Sequence, residues 1–414
     1  MNSTSPLFSQ FTLPNGTTLP NRLVKAAMEE NLSNAHLEPD QALWNLYESW
    51  AHGGVGTMIT GNVMVDHRAM TGPGGVVLEE GSSLDGFRQW SSKSKVSGGK
   101  IIMQINHPGR QILAKLGGEV WAPSAVPVDI GNLSKLLGKP KAMTEQEILE
   151  TIQRFAKTSQ LAEESGFDGV EIHAAHGYLI SQFLSPIANR RNDLWGGSLE
   201  NRSRFLVEVI LSVRKAVKPG FIVAVKLNSA DFQKGGFQFQ DAKEVISKIQ
   251  TLGVDFIELS GGNYEAPAMQ GESRDGSTIA REAYFLEFAS EVAKTATVPI
   301  LVTGGIRRKQ IAESVLESGV PLVGIATALA LNPNLPNDWK ENKQIDRVLP
   351  DPGWKSKTLK GLANMAMVRY QLNRLSQGKL PTVNVSPIMR LLLDQFRLSK
   401  LTKRYQGWIQ NLPH

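Results

Sequence analysis

The sequence predicts an α/β fold, a (β/α)8 TIM barrel with a C-terminal helical extension, and two observations carry that prediction. Eight short, apolar, β-branched segments alternate with amphipathic stretches. A theme of helix, then Ser-Gly or Leu-Gly, then strand recurs in SGFDGVEIH (165–173), LGVDFIELS (252–260) and SGVPLVGIA (318–326). Glycine there ends a helix in the left-handed conformation, and the chain turns at once into the next parallel strand. Eight such units suggest a closed barrel more than an open sheet.

The expected strands are Arg22–Ala27, Val55–Gly61, Lys100–Ile105, Gly169–His173, Phe221–Leu227, Asp255–Leu259, Pro299–Thr303 and Pro321–Ala326. Several are apolar nearly throughout, as parallel strands covered on both faces should be. Between them, Gln146–Glu164 places Ile148, Ile152, Phe155 and Leu161 near one helical face. Thr144 with Glu147 makes a capping box ahead of it. Asn201–Val217 and Asp241–Leu252 share that periodicity. The connections 106–143 and 174–198 are long, and in a barrel such loops build the active site at the C-terminal mouth. Beyond about Ala330 the alternation stops. Trp354–Ser376 and Met389–Tyr405 read as helices joined by a linker at Pro381–Pro387. The expected organisation is a barrel over residues 1–340 and a basic helical extension over 341–414, packed on it.

Composition bounds the chemistry. The 414 residues are 41% hydrophobic and include no cysteine. That removes disulfides, thiolate zinc sites, a catalytic thiol and a Cys-ligated iron–sulfur cluster. The start, Met1–Gly16, has no apolar core of a signal peptide, and no apolar run reaches the ~18 residues of a membrane span. The expected compartment is the cytoplasm, with no integral membrane segment and no nucleic-acid partner. The net charge of +6 is uneven: Lys355–Arg404 holds eleven Lys/Arg against the single acid Asp394. Such a segment can attract phosphates, nucleic acid or anionic lipid; a solvated helical face is the favoured reading.

The strongest local signal is EIHAAHGYLISQFLSP, with His173, His176 and Tyr178 at the end of strand four. Two imidazole N–H donors can bind an oxygen that gains charge during reaction, and a phenol can supply a proton. A His-x-x-His pair also suits a metal, but no further ligand follows at useful spacing, so none is expected. Second, strand seven ends in LVTGGIR, with Thr303, Gly304 and Gly305, and strand eight runs through VGIATAL, with Ala326 and Thr327. Glycine-rich turns after strands seven and eight are where this fold holds a phosphate. Together these imply a phosphorylated cofactor lying across the mouth. Third, Gln104 and Lys226 close strands three and five, where a buried amide and cation are costly unless they meet a ligand. A flavin ring offers partners to both; a Schiff-base lysine, as in a barrel aldolase, is the alternative for Lys226.

These motifs together resemble the old yellow enzyme family of NADH:flavin oxidoreductases. PNRLVKAAMEEN, MQINHPGR, EIHAAHGYLISQFLSPIANRRND, GGSLENRSRF and VTGGIR carry the likeness through most of residues 6–330. The resemblance implies FMN on the mouth and NADH or NADPH as hydride donor. It implies that His173 and His176 bind the substrate carbonyl oxygen and that Tyr178 protonates. It matches Gln104 and Lys226 to ring contacts, Ala26, Ala27 and Met28 to the backbone beneath the ring, Gly61 to strand two, and Gly304 and Gly305 to the phosphate turn. The implied substrate is a small activated alkene such as an enone. One departure stands out. The family's Gly-Arg after strand eight is Ala326-Thr327 here, which removes a bidentate phosphate contact. Another is Glu29, where some relatives carry a cysteine near the flavin. The readings left open are the ene-reductase, a lyase or aldolase using Lys226, and a non-catalytic ligand-binding barrel; a homo-oligomer is compatible with all three.

Overall fold

A computed structural model describes residues 5–266 and 285–411. Eight parallel strands, β1 (Leu23–Lys25), β2 (Thr57–Ile59), β3 (Lys100–Asn106), β4 (Gly169–Ala174), β5 (Ile222–Asn228), β6 (Phe256–Ser260), β7 (Ile300–Val302) and β8 (Leu322–Ile325), pair in sequence order. β8 pairs back onto β1 and closes the ring. The eight expected strands are all present. Two short segments, Val63–Met64 and Val76–Val77, extend the sheet beyond β3 and lie inside what reads from sequence as loop.

Helices follow the strands: α1 (Gln41–His52), α2 (Asp85–Ser94), α3 (Glu145–Glu164), α4 (Leu199–Ala216), α5 (Phe239–Ile249), α6 (Leu286–Ala293), α7 (Lys309–Glu317) and α8 (Thr327–Leu331). The expected capping box forms. Thr144 Oγ1 accepts from Glu147 N at 3.3 Å, and Thr144 N donates to Glu147 Oε2 at 2.7 Å. The three recurrent glycines Gly166, Gly253 and Gly319 have φ of 81°, 80° and 89°, the left-handed turn that the repeat requires.

Alternation along the strands sorts side chains into two cores. Val24, Ile59, Ile102, Ile222, Ala224, Phe256, Leu301 and Leu322 form one cluster inside the ring. Leu13 and Leu19, from the hairpin of Phe11–Thr12 with Thr18–Leu19, join it. The intervening residues, such as Ile101, Met103, Val170, Ile172, Val223 and Val225, pack against the helices. Two residues beyond Ile102, Ala224 and Phe256 on the same inward face come Gln104, Lys226 and Glu258. The barrel interior therefore changes from apolar to polar one layer below the mouth.

Beyond the barrel, α9 (Lys357–Ser376) packs on α1 and α8, and α10 (Pro387–Gln410) packs on α9. Arg369 and Asp394 join these two helices through hydrogen bonds of 3.0 and 2.5 Å. α10 then crosses the loops that follow β1, β2 and β3. Arg397 donates to Asn31 O (2.6 Å), Arg404 to Ser33 O (2.8 Å), Tyr405 OH to His67 O (2.7 Å) and Gln406 to Lys115 O (2.6 Å). Arg397 and Arg404 are thus structural donors on the inner side of α10, while Lys400 and Lys403 are exposed on its outer side. Among the described residues no helix is long and apolar enough to cross a membrane.

Candidate active site

Ala27, Met28, Glu29, Asn62, Gln104, His173, His176, Tyr178 and Lys226 line one cavity of about 130 Å³ at the C-terminal ends of the strands. Eight of the residues singled out from sequence, all of these but Asn62, thus meet in one place. Ala26, Gly61, Thr303, Gly304, Gly305, Ala326 and Thr327 do not line it. Ala26 N is bonded to Ile325 O (2.9 Å), and Gly61 N to Glu30 Oε1 (3.2 Å) and Tyr47 OH (3.1 Å). Gly304 and Gly305 turn with φ of 131° and 74° after β7, next to β8, with Ala326 and Thr327 at the start of α8.

Strand register builds the floor of the cavity. Glu171 is paired with Gln104, His173 with Lys226, and Lys226 with Glu258 across adjacent strands. Gln104 Nε2 donates to Glu171 Oε2 at 2.5 Å, and Lys226 Nζ to Glu258 Oε1 at 2.7 Å. Each gives one N–H to a carboxylate of a neighbouring strand, which offsets part of its burial, and both side chains also line the cavity. Among the described residues no other group donates to Glu171 Oε1 or Glu258 Oε2, both buried, so the two carboxyls meet only each other there. Burial, and then the charge of Glu258, push the Glu171 carboxyl well above the usual carboxylate range. With the proton on Glu171, the Lys226–Glu258 pair leaves this layer without net charge.

The walls hold the histidines. His173 Nδ1 accepts from Ala175 N at 3.2 Å, which leaves Nε2 to carry the proton as a donor. His176 has φ of 60°, a strained value for a residue with a side chain, and its N–H is held by Asn228 Oδ1 at 3.0 Å. Ser260 Oγ lies 2.8 Å from His176 Nε2. If the hydroxyl donates there, the proton sits on Nδ1, so Ser260 governs which tautomer His176 presents. The His173 ring meets His176 at 5.0 Å and Tyr178 at 4.8 Å, both edge to face. Burial, with Lys226 and the second ring adding to it, holds His173 far below 6.5; burial and Lys226 do the same to His176. Burial first, then Tyr264 and Glu29, hold the Tyr178 phenol far above 10. Tyr264 OH lies 3.4 Å from Tyr178 OH.

Glu171, Glu258, Ser260, Asn228 and Tyr264 were not singled out from sequence. A glutamate inside each of the apolar runs GVEIHA and FIELS was the available signal, because a charge in an all-buried strand needs a partner on the next strand.

Directly after β3, His107 is buried, its Nδ1 accepts from Gly109 N (3.1 Å), and its ring stacks on Trp121. Burial pushes it down to about 4. Between pH 6.5 and 4 the unfolded chain binds a proton there and the folded chain does not. Stability present above pH 6.5 is therefore lost as pH falls, by about 3 kcal/mol in full. Melting temperatures from pH 7 to 4.5 should fall less steeply in His107→Gln than in the wild type; parallel curves would reject this assignment.

Residues 6–346 match the model of the NADH:flavin oxidoreductase / NADH oxidase family. The chain belongs to this family. It is 39% identical to the NADH-dependent flavin oxidoreductase iliE of Hypocrea jecorina, over 81% of this chain and 88% of that one. It resembles a 2-naphthoyl-CoA reductase solved with 2-naphthoyl-CoA (26% identity, TM-score 0.75), over 82% of this chain and 52% of that one, so it spans about half of that protein. The fold is also that of the old yellow enzyme homologue from Zymomonas mobilis (22% identity, TM-score 0.69), over 82% of this chain and 94% of that one. It is thus a flavin oxidoreductase of the NADH:flavin oxidoreductase family, with FMN as its cofactor. The residues present fit that group. Gln104 and Lys226 offer donors in the cavity, and Asn62 Oδ1 on the same wall is buried without a partner among the described residues.

Proposed function

We propose that this protein reduces carbon–carbon double bonds conjugated to a carbonyl or nitro group, with NADH or NADPH as the source of hydride. The convergence of His173, His176 and Tyr178 on the cavity that also presents Gln104 and Lys226 carries this reading. Gln104, Lys226 and the backbone of Ala26–Met28 would hold the ring of FMN, and Gly304, Gly305 and Thr327 its phosphate. When bound, FMN supplies the two-electron chemistry, accepting hydride from the nicotinamide and giving it to the β-carbon of the alkene.

The protein's own groups act on the acceptor. His173 and His176 donate to the carbonyl or nitro oxygen and draw charge onto it. Tyr178 O–H delivers a proton to the α-carbon, and burial keeps that proton on the phenol until it is needed. Burial keeps both imidazoles neutral and the phenol protonated between their ordinary values of about 6.5 and 10, so kcat/KM for the acceptor should be flat over that range. A titration limb inside it would contradict the assigned protonation states. Without an arginine at 326 or 327, FMN should wash out more readily than from relatives that have one.

The aldolase reading requires Lys226 as a free nucleophile, whereas its nitrogen is engaged by Glu258 beneath the cavity. Steady-state oxidation of NADH or NADPH with 2-cyclohexenone, in added FMN, tests the proposal. Turnover with formation of cyclohexanone is expected. Absence of FMN binding and of turnover would reject it, and a borohydride-trapped adduct on Lys226 would install the alternative.

A further inference from the structure

α10 has an apolar face that nothing among the described residues covers. Its inner side carries Asp394, Thr402 and Tyr405, all buried. On the opposite side Ile388, Met389, Leu392, Leu393 and Phe396 are 48–62% exposed. Their spacing (i, i+1, i+4, i+5, i+8) puts all five on one side of the helix. Scattered apolar side chains are ordinary on a surface, but five in one stripe mark an interaction site.

The charges around the stripe say what it meets. Lys400 and Lys403 continue the exposed side toward the C-terminus, and Lys400 Nζ sits 4.6 Å from the Phe396 ring centroid. Lys379, at the end of the preceding turn, is exposed as well. The one carboxylate among residues 355–404, Asp394, is buried and paired with Arg369 on the other side. The exposed face of α10 is therefore apolar and cationic with no acid on it. A second copy of the same face would bring lysines against lysines, whereas a surface of anionic headgroups over acyl chains complements both features.

We propose that α10 docks in the plane of an anionic lipid surface, with Ile388, Met389, Leu392, Leu393 and Phe396 entering the headgroup boundary and Lys379, Lys400 and Lys403 on the headgroups. Because the inner side of α10 is bonded to the loops after β1, β2 and β3, docking seats those loops of the mouth on the side toward the lipid.

The test is sedimentation of the full, FMN-loaded chain with vesicles of phosphatidylcholine alone and of phosphatidylcholine with phosphatidylserine. Binding to the anionic vesicles only, weakened at high salt, is expected. Leu392→Gln with Phe396→Gln, and separately Lys400→Glu with Lys403→Glu, should each weaken it by about tenfold or more. Unchanged flavin absorbance and melting temperature show that these surface variants fold; should the first pair fail to fold, the charge pair and the salt dependence of the wild type decide. No binding to anionic vesicles, or equal binding by both variants, overturns the proposal. So does a dimer in light scattering that Leu392→Gln with Phe396→Gln dissociates while vesicles are ignored, which would assign the face to a second copy.

Discussion

Tyr178→Phe should slow reduction of an enone by a factor of about 10²–10⁴, while reduction of the bound flavin by NADH or NADPH keeps close to its wild-type rate. The asymmetry follows from what the phenol does. It has a proton to give only in the half-reaction that consumes the alkene. Phenylalanine keeps the ring that packs edge to face on His173 at 4.8 Å, so the fold of the site should survive. The hydroxyl's neighbour Tyr264 OH, 3.4 Å away, is a weak substitute, since Tyr264 does not line the cavity. Separate anaerobic measurement of the two half-reactions checks this. Equal loss in both would mean that Tyr178 acts through cofactor binding; no loss in either would remove it from the mechanism.

His173→Ala should lower kcat/KM for the enone by about 10²–10³, the cost of deleting one buried donor to a developing oxyanion, about 3–4 kcal/mol. His173 is the more rigid of the two donors. It leaves a β-strand, its register neighbour is Lys226, and Ala175 N fixes its tautomer. His176 depends on side chains far away in sequence, namely Asn228 on its backbone and Ser260 on its ring. Ser260→Ala should accordingly cost less than His173→Ala and be rescued by Ser260→Thr, which restores a hydroxyl. Comparable rates in His173→Ala and the wild type would show that the acceptor oxygen is held elsewhere.

Both predictions rest on residues of one sixteen-residue segment, and that segment was legible without coordinates because its chemistry is local. The eight strands were legible for a similar reason: parallel strands buried on both faces leave unbroken apolar runs. Their ends were not. Pro299 and Thr303 fall outside β7, and Arg22 and Ala27 outside β1, because ladder bonds stop where the chain turns toward the mouth or leaves a helix. The floor of the cavity was legible only in half. Gln104 and Lys226 were visible as polar strand ends, but Glu171 and Glu258 acquire meaning only from register, which places each beside its partner on the next strand. Ser260, 84 residues from His176, carried no signal in a linear reading. Nor did the bonds from α10 to Asn31, Ser33, His67 and Lys115, since a helical periodicity states which face is apolar and not which loop lies under it.

The most direct test of the central claim is the position of the label when the FMN-loaded protein reduces 2-cyclohexenone with unlabelled NADH or NADPH in deuterated water. Tyr178 O–H exchanges with solvent and the nicotinamide hydride does not. The account predicts cyclohexanone with one deuterium at the α-carbon and none at the β-carbon, with formation strongly slowed in Tyr178→Phe. Deuterium at the β-carbon, or no reduced product while FMN is bound, would contradict it.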